Sequence, residues 1–154
     1  MSGTEIRRYF ATCPKGLEYL LVDELKALGA DGVREALAGV YFEGPIGIAY
    51  RACLWSRLAS RVLLPIAEFA CADEEALYAG VQAIDWSAHL RADGTLAVDA
   101  SLVQSQLKHA RYAEQKTKDA VVDQFRQASG QRPSVDTDQP DLRINLFVKR
   151  DRAT

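Results

Sequence analysis

Three cysteines, two histidines and five prolines in 154 residues leave little material for several kinds of chemistry. Cys13, Cys53 and Cys71 are odd in number, widely spaced and never arranged as Cys-x-x-Cys. Neither a disulfide framework nor a zinc site is expected, and all three read as small buried hydrophobes. Only His89 and His109 titrate near neutral pH, and neither has a nucleophile and an orienting acid beside it. The glycine-rich phosphate and dinucleotide motifs, Gly-x-Ser-x-Gly and His-Glu-x-x-His are missing as well. No residue therefore reads as catalytic, and a small enzyme would need a pocket holding His89 or His109 beside a perturbed acid. Asp136, Thr137, Asp138 and Asp141 lack the glycine and closing glutamate of a calcium loop, so they read as a solvated turn and no metal is expected. Long apolar runs are absent too. Stretches 54–64 and 61–71 are broken by Arg57, Arg61, Pro65 and Glu68, short of the roughly 20 residues a spanning helix needs. Met1 to Arg8 has charges but no apolar segment behind them, which argues against secretion. A soluble cytoplasmic chain with no membrane partner is the expectation.

A 48% hydrophobic content is enough for one ordinary domain or two small ones sharing a core. The net charge of −2 is a poor fit to a polyanion, but its distribution is uneven. Residues 1–100 hold 9 Lys/Arg against 14 Asp/Glu, whereas 101–154 hold 10 against 7. The positive surplus sits late.

Along the chain, Arg8 to Thr12 alternates as a short strand that Pro14 ends. Leu17, Leu20, Leu21, Leu25 and Leu28 then recur at helical spacing, with Glu18, Asp23, Glu24 and Lys26 elsewhere and Gly29 at the C-cap. Val33–Leu37 and Val40–Glu43 flank Ala38-Gly39 as a hairpin, and Pro45 opens a helix to about Leu54. A strand through Arg61 to Ala70, with Pro65 marking an edge or bulge, closes a split βαβ unit. Asp73 caps the next helix, with Glu74 and Glu75 in its first turn and Leu77, Tyr78, Val81 and Ile84 facing inward. Leu96, Val98, Ala100 and Leu102 alternate with polar or small residues after the Asp93-Gly94 turn, the pattern of a half-buried strand. The longest helix spans about Tyr112 to Ala128, buries Ala113, Thr117, Ala120, Val121 and Phe125, and stops at Ser129-Gly130. A polar loop over 131–141 leads to a strand of Leu142, Ile144, Leu146 and Val148, which ends at a charged tip, Lys149 to Arg152. A well-patterned strand delivered to a turn with nothing to pair it reads as a module cut short, or as an exposed edge.

The most informative segment is Lys108-His109-Ala110-Arg111-Tyr112, followed by Lys116 and Lys118, because it runs through a loop onto the start of the longest helix. Unpaired N–H groups and the helix dipole favour phosphate there, so Lys108, Arg111 and Lys116 would make an anion cradle, while Tyr112 and His109 could stack a base. A solvated basic helix start would have the same sequence.

The run Leu54-Trp55-Ser56-Arg57-Leu58-Ala59-Ser60-Arg61-Val62-Leu63-Leu64-Pro65 resembles bacterial large-subunit (23S) ribosomal RNA guanine-N2 methyltransferases. Cys13 to Glu18, Gly80 to Trp86, Lys116 to Asp123 and Arg132 to Asp136 are similar to the same family in the same order, so the likeness covers nearly the whole chain. It implies an α/β (α+β) fold: a ferredoxin-like subdomain over residues 1–60, then a THUMP domain over 61–154 with a mixed sheet lacking its last strand. It further implies RNA binding that presents a guanine of large-subunit ribosomal RNA to the protein's own C-terminal methyltransferase domain, which uses S-adenosylmethionine. Two features depart from the family. His109-Ala110 stand where it carries an Asn-Ser pair, and the catalytic domain with its Asn-Pro-Pro-Tyr motif does not follow, so the expectation is a piece that holds no cofactor and cannot methylate alone. Trp55 is expected in the core, with Arg57 and Arg61 paired to nearby carboxylates. The expected RNA contacts are Lys108, Arg111, Tyr112, Lys116, Lys118 and His109, then Lys15, Arg57, Arg132 and Arg143. The alternative is a protein-interaction module docking the catalytic domain or a ribosome assembly factor, which the acidic first half favours.

Overall fold

The computed structural model describes residues 5–154, which divide into two compact units, one up to Ile66 and the other Ala67–Thr154. In the first, β1 (Arg7–Thr12), α1 (Glu18–Ala27), β2 (Asp31–Ala36), β3 (Gly39–Gly44), α2 (Ile46–Trp55) and β4 (Arg61–Leu63) follow in that order. The strands form an antiparallel sheet in the order β2-β3-β1-β4, the ferredoxin-like arrangement of a split βαβ unit. Successive strand side chains alternate between faces, so Tyr9 and Ala11 of β1 and Val40 and Phe42 of β3 enter the core. There they pack with Leu21 and Leu25 of α1 and Ile48, Ala49 and Ala52 of α2.

Several expectations for this unit are corrected. Leu20 lies on the exposed side of α1, leaving Leu21 and Leu25 as its buried anchors. Glu18, expected in solvent, is buried: it accepts from the N–H groups of Gly16 (2.6 Å) and Ala38 (3.0 Å) and so joins the loop before α1 to the β2–β3 turn. Trp55 ends α2 with 64% of its surface exposed instead of filling the core, and Cys53 is exposed where Cys13 and Cys71 are buried.

In the second unit, β5 (Phe69–Ala70), α3 (Glu74–Gln82), a 3₁₀ turn (Trp86–Ala88), β6 (Thr95–Val103), α4 (Ala110–Ser129), β7 (Ser134–Val135), β8 (Leu142–Lys149) and β9 (Arg152–Ala153) build a mixed five-stranded sheet. Its order is β5-β9-β8-β6-β7. β6 runs parallel to β7 and β8, while β9 is antiparallel to β8 and β5. The strand expected through 61–70 is thus two, one in each sheet, divided by a stretch around Pro65, whose missing N–H cannot join a ladder. The residues after the charged tip also differ from expectation, because Arg152–Ala153 turn back and pair with both β8 and β5. The expected inward alternation holds: Leu96, Val98, Ala100 and Leu102 of β6 and Leu142, Ile144, Leu146 and Val148 of β8 meet Leu77 and Val81 of α3 and Ala113, Ala120, Val121 and Phe125 of α4.

Local chemistry sets the helix ends. Asp73 caps α3 by accepting from the Ala76 N–H at 2.8 Å, and Gly130, in the left-handed region at φ 72°, closes α4 with its N–H on the Arg126 carbonyl. Gln124 of α4 fastens the end of α3, donating to the carbonyls of Gln82 (2.8 Å) and Ile84 (2.7 Å) while accepting from the Trp86 N–H.

Candidate nucleic-acid interface

α4 is the longest helix and the start of the candidate site. The loop before it is pinned by Leu107, which is buried in the core, and Lys108 and His109, the two residues that lead into the helix, are exposed. His109 occupies the N-cap position in extended backbone but makes no side-chain cap, and the first helical bond runs from the Ala113 N–H to the His109 carbonyl. The N–H groups of Ala110, Arg111 and Tyr112 therefore lack intrahelical acceptors, which is the usual condition of a first turn. Arg111 is exposed and Tyr112 keeps 44% of its surface. With no acidic residue in that turn, the positive end of the helix dipole is left uncompensated.

Further along, the cations do not form one cluster. At about 100° of rotation per residue, Arg111 and Lys118 lie about 20° apart on one flank of the buried stripe, and Tyr112 and Lys116 lie about 40° apart on the other. Lys118 pairs with Asp119 at 2.7 Å. Lys116 leans onto α3, its ammonium 5.6 Å from the centre of the Tyr78 ring. The Tyr78 hydroxyl donates to Asp123 at 2.7 Å, a bond that, with burial, holds this phenol above its ordinary pKa. Lys116 thus already has a π face.

The remaining candidates are dispersed. Arg143 of β8 donates to Asp99 at 3.0 Å and to the Thr137 carbonyl at 2.8 Å, on the sheet face turned away from α3 and α4. Arg132 is exposed in the loop after α4. Lys15 and Arg57 belong to the first unit: Lys15 is exposed in the turn before α1, and Arg57 is exposed with its backbone N–H, rather than its guanidinium, donating to Glu24 at 2.9 Å. Only Lys108, His109, Arg111 and Tyr112 gather at one place. The signal for the dispersal was in the helical spacing of 111, 112, 116 and 118 all along.

His89 lines an open depression of about 500 Å³ together with Leu90, Arg91, Asp93, Gly94 and Asp141. Its carboxylates are engaged: Asp93 is bound by Arg91, which lowers its pKa, and Asp141 accepts from the Thr95 N–H and hydroxyl. Nothing in it resembles a base aligned on a nucleophile. Among the described residues no group of three or more metal-ligating side chains comes together, and no helix is long and apolar enough to cross a membrane.

Residues 8–63 match the profile of the RlmL ferredoxin-like domain, and residues 71–154 match that of the THUMP domain. The chain belongs to the THUMP family. A ribosomal RNA large subunit methyltransferase K/L from Syntrophotalea carbinolica is 57% identical over 147 residues, 96% of this chain but 21% of that protein. This THUMP chain therefore spans about a fifth of that relative's length. Two solved structures share the architecture. SMU.472, a putative methyltransferase complexed with SAH, matches at TM-score 0.83 and 28% identity over 97% of this chain and 40% of its own. TrmN from Thermus thermophilus matches at TM-score 0.68 and 25% identity over 97% of this chain and 44% of its own.

Proposed function

We propose that this THUMP chain is the RNA-holding N-terminal part of a methyltransferase that acts on large-subunit ribosomal RNA, and that it positions the target guanine for transfer to its N2 atom by a further domain of the parent protein. The observation that carries the reading is the 57% identity to a ribosomal RNA large subunit methyltransferase spread over 96% of the chain. The geometry supplies the contact: three unpaired N–H groups at the start of α4, ringed by Lys108, Arg111, His109 and Tyr112, suit a phosphate followed by an unstacked base. Lys118 extends that surface on the Arg111 flank and Lys116 on the Tyr112 flank, with Lys15, Arg57, Arg132 and Arg143 as secondary positions. S-adenosylmethionine, the methyl donor of such an enzyme, is assigned to the remainder of the parent protein rather than to residues of this chain.

Filter binding of the chain to a large-subunit ribosomal RNA hairpin, against a scrambled sequence at two salt concentrations, tests the reading. Preference for the hairpin that weakens with salt supports it; equal retention of both RNAs, or of neither, defeats the positioning role. A second reading has its own observation. Tyr50 (68%), Leu54 (74%) and Trp55 (64%) of α2 are exposed, which suits a module docking the catalytic domain or a ribosome assembly factor. Replacing Leu54 and Trp55 by polar residues would then abolish that docking while leaving hairpin binding intact.

A further inference from the structure

We infer that the face of the first sheet turned away from α1 and α2 is a stacking surface for unpaired RNA bases, with Phe10 and Tyr41 as its two planes. The inference rests on the RNA-binding reading and deepens it, because it adds a two-ring stacking surface to the phosphate and single base assigned to the start of α4.

Strand alternation that sends Tyr9, Ala11, Val40 and Phe42 into the core sends Phe10 and Tyr41 the other way, and neither belongs to the core cluster. Both are partly exposed. They lie directly opposite each other on the two central strands, ring centres 4.7 Å apart and planes inclined by 54°. The register continues the row across all four strands as Arg34, Tyr41, Phe10 and Leu63. Gly39 explains how the Phe10 ring lies low on the sheet: a Cβ there would stand 2.4 Å from the ring and 2.6 Å from the Ala11 carbonyl oxygen. One side of the ring rests on backbone, which leaves the other for a ligand.

Charge selects the occupant. The Arg34 guanidinium sits 5.1 Å from the centre of the Tyr41 ring; Arg61 projects from the same face, as does Arg8, which is paired with Glu43 at 3.2 Å, and Asp31 lies opposite Glu43. An apolar protein segment would find one narrow row of three apolar side chains under arginines. A single strand of RNA offers what that row fits: flat bases for the rings and phosphates for the cations. Four-stranded sheets of this kind hold unpaired RNA through aromatic residues on their central strands. A duplex hides its base faces and does not fit.

The test titrates the wild-type chain and the double variant Phe10→Leu/Tyr41→Leu into a single-stranded RNA octamer carrying 2-aminopurine, with Arg111→Ala/Lys118→Ala in parallel. Wild type should quench the fluorescence. The leucine pair should lose the quench and about tenfold or more in affinity. The α4 variant should keep the quench at higher concentration. The swap Phe10→Tyr/Tyr41→Phe, which keeps both rings, should bind as wild type does, and should the leucine pair fail to fold, photo-crosslinking of 5-bromouridine RNA to the wild type decides by adducts at Phe10 or Tyr41. Unchanged affinity in a folded leucine variant, adducts confined to α4, equal affinity for the duplexed octamer, or a wild-type dimer that this pair dissolves overturns the inference and leaves the α4 site standing. Failure of the wild type to bind any RNA defeats both.

Discussion

Replacing Gly80 by alanine sets two effects of opposite sign against each other. Within α3, an interior Gly→Ala change gains about 1 kcal/mol from the backbone entropy that glycine loses on folding. Against it stands the Phe69 ring of β5, since a Cβ at Gly80 would come within 2.2 Å of two ring carbons and 2.6 Å of a third. A rigid ring packed against the core must move by more than an ångström, which puts the cost at the upper end of the roughly 1–3 kcal/mol of overpacking. The clash wins by about 2 kcal/mol, equivalent to a Tm lowered by roughly 10 °C for a unit of this size. Gly47 is the control: it is exposed in the first turn of α2, and a methyl group added there would meet nothing within 4 Å, so Gly47→Ala should be neutral to about 1 kcal/mol stabilising. Differential scanning calorimetry of the two variants reads both signs. Gly80→Ala melting at or above wild type would refute the packing argument, and Phe69→Leu should restore most of the loss if the ring is its cause.

Other outcomes follow from hydrogen bonds. Asp73→Ala removes the acceptor for the Ala76 N–H and should cost about 1 kcal/mol in urea unfolding, with Asp73→Asn close to wild type. Glu18 is held below its ordinary pKa by its own backbone N–H and those of Gly16 and Ala38, aided by Lys15; Glu24 is lowered despite burial by the Arg57 N–H and the Ser56 hydroxyl. A depressed carboxylate contributes stability above its unfolded pKa and loses it as pH falls through the folded one. Urea midpoints should therefore drop on acidification below the ordinary carboxylate range, and Glu18→Gln/Glu24→Gln should flatten that limb while lowering stability at pH 7. An acid limb of unchanged depth in the double variant would remove both carboxylates from the account.

Elements whose pattern is set by a single core were legible in sequence. The stripe of Ala113, Thr117, Ala120, Val121 and Phe125 has one sheet to face, and the alternation through β6 and β8 follows from one buried side. What escaped depended on partners distant along the chain. Glu18 reads as a solvated helix residue until Ala38, twenty positions on, supplies a second N–H. β7 and β9 are two residues each, too short for any periodicity, and exist because β6, β8 and β5 offer open edges. Arg61 to Ala70 looks like one strand because composition does not say which of two sheets a residue joins. At the site, the gathering of Lys108, His109, Arg111 and Tyr112 was legible from their place at a helix start, while the outward turn of Lys116 and Lys118 to opposite flanks required the wheel. Phe10 and Tyr41 do not stand out in the sequence, because an aromatic residue in a strand looks the same on either face.

The salt dependence of RNA binding tests the central claim most directly. Lys108, Arg111, Lys116 and Lys118, neutralising phosphates on a single strand, predict a contribution of about −3 to the slope of log K against log salt, at about −0.7 per phosphate. Lys108→Ala/Arg111→Ala, which strips the gathered end of α4, should bring it to about −1.5 by the same arithmetic. A slope that the double variant leaves at the wild-type value would contradict the assignment of that helix start to a polynucleotide backbone.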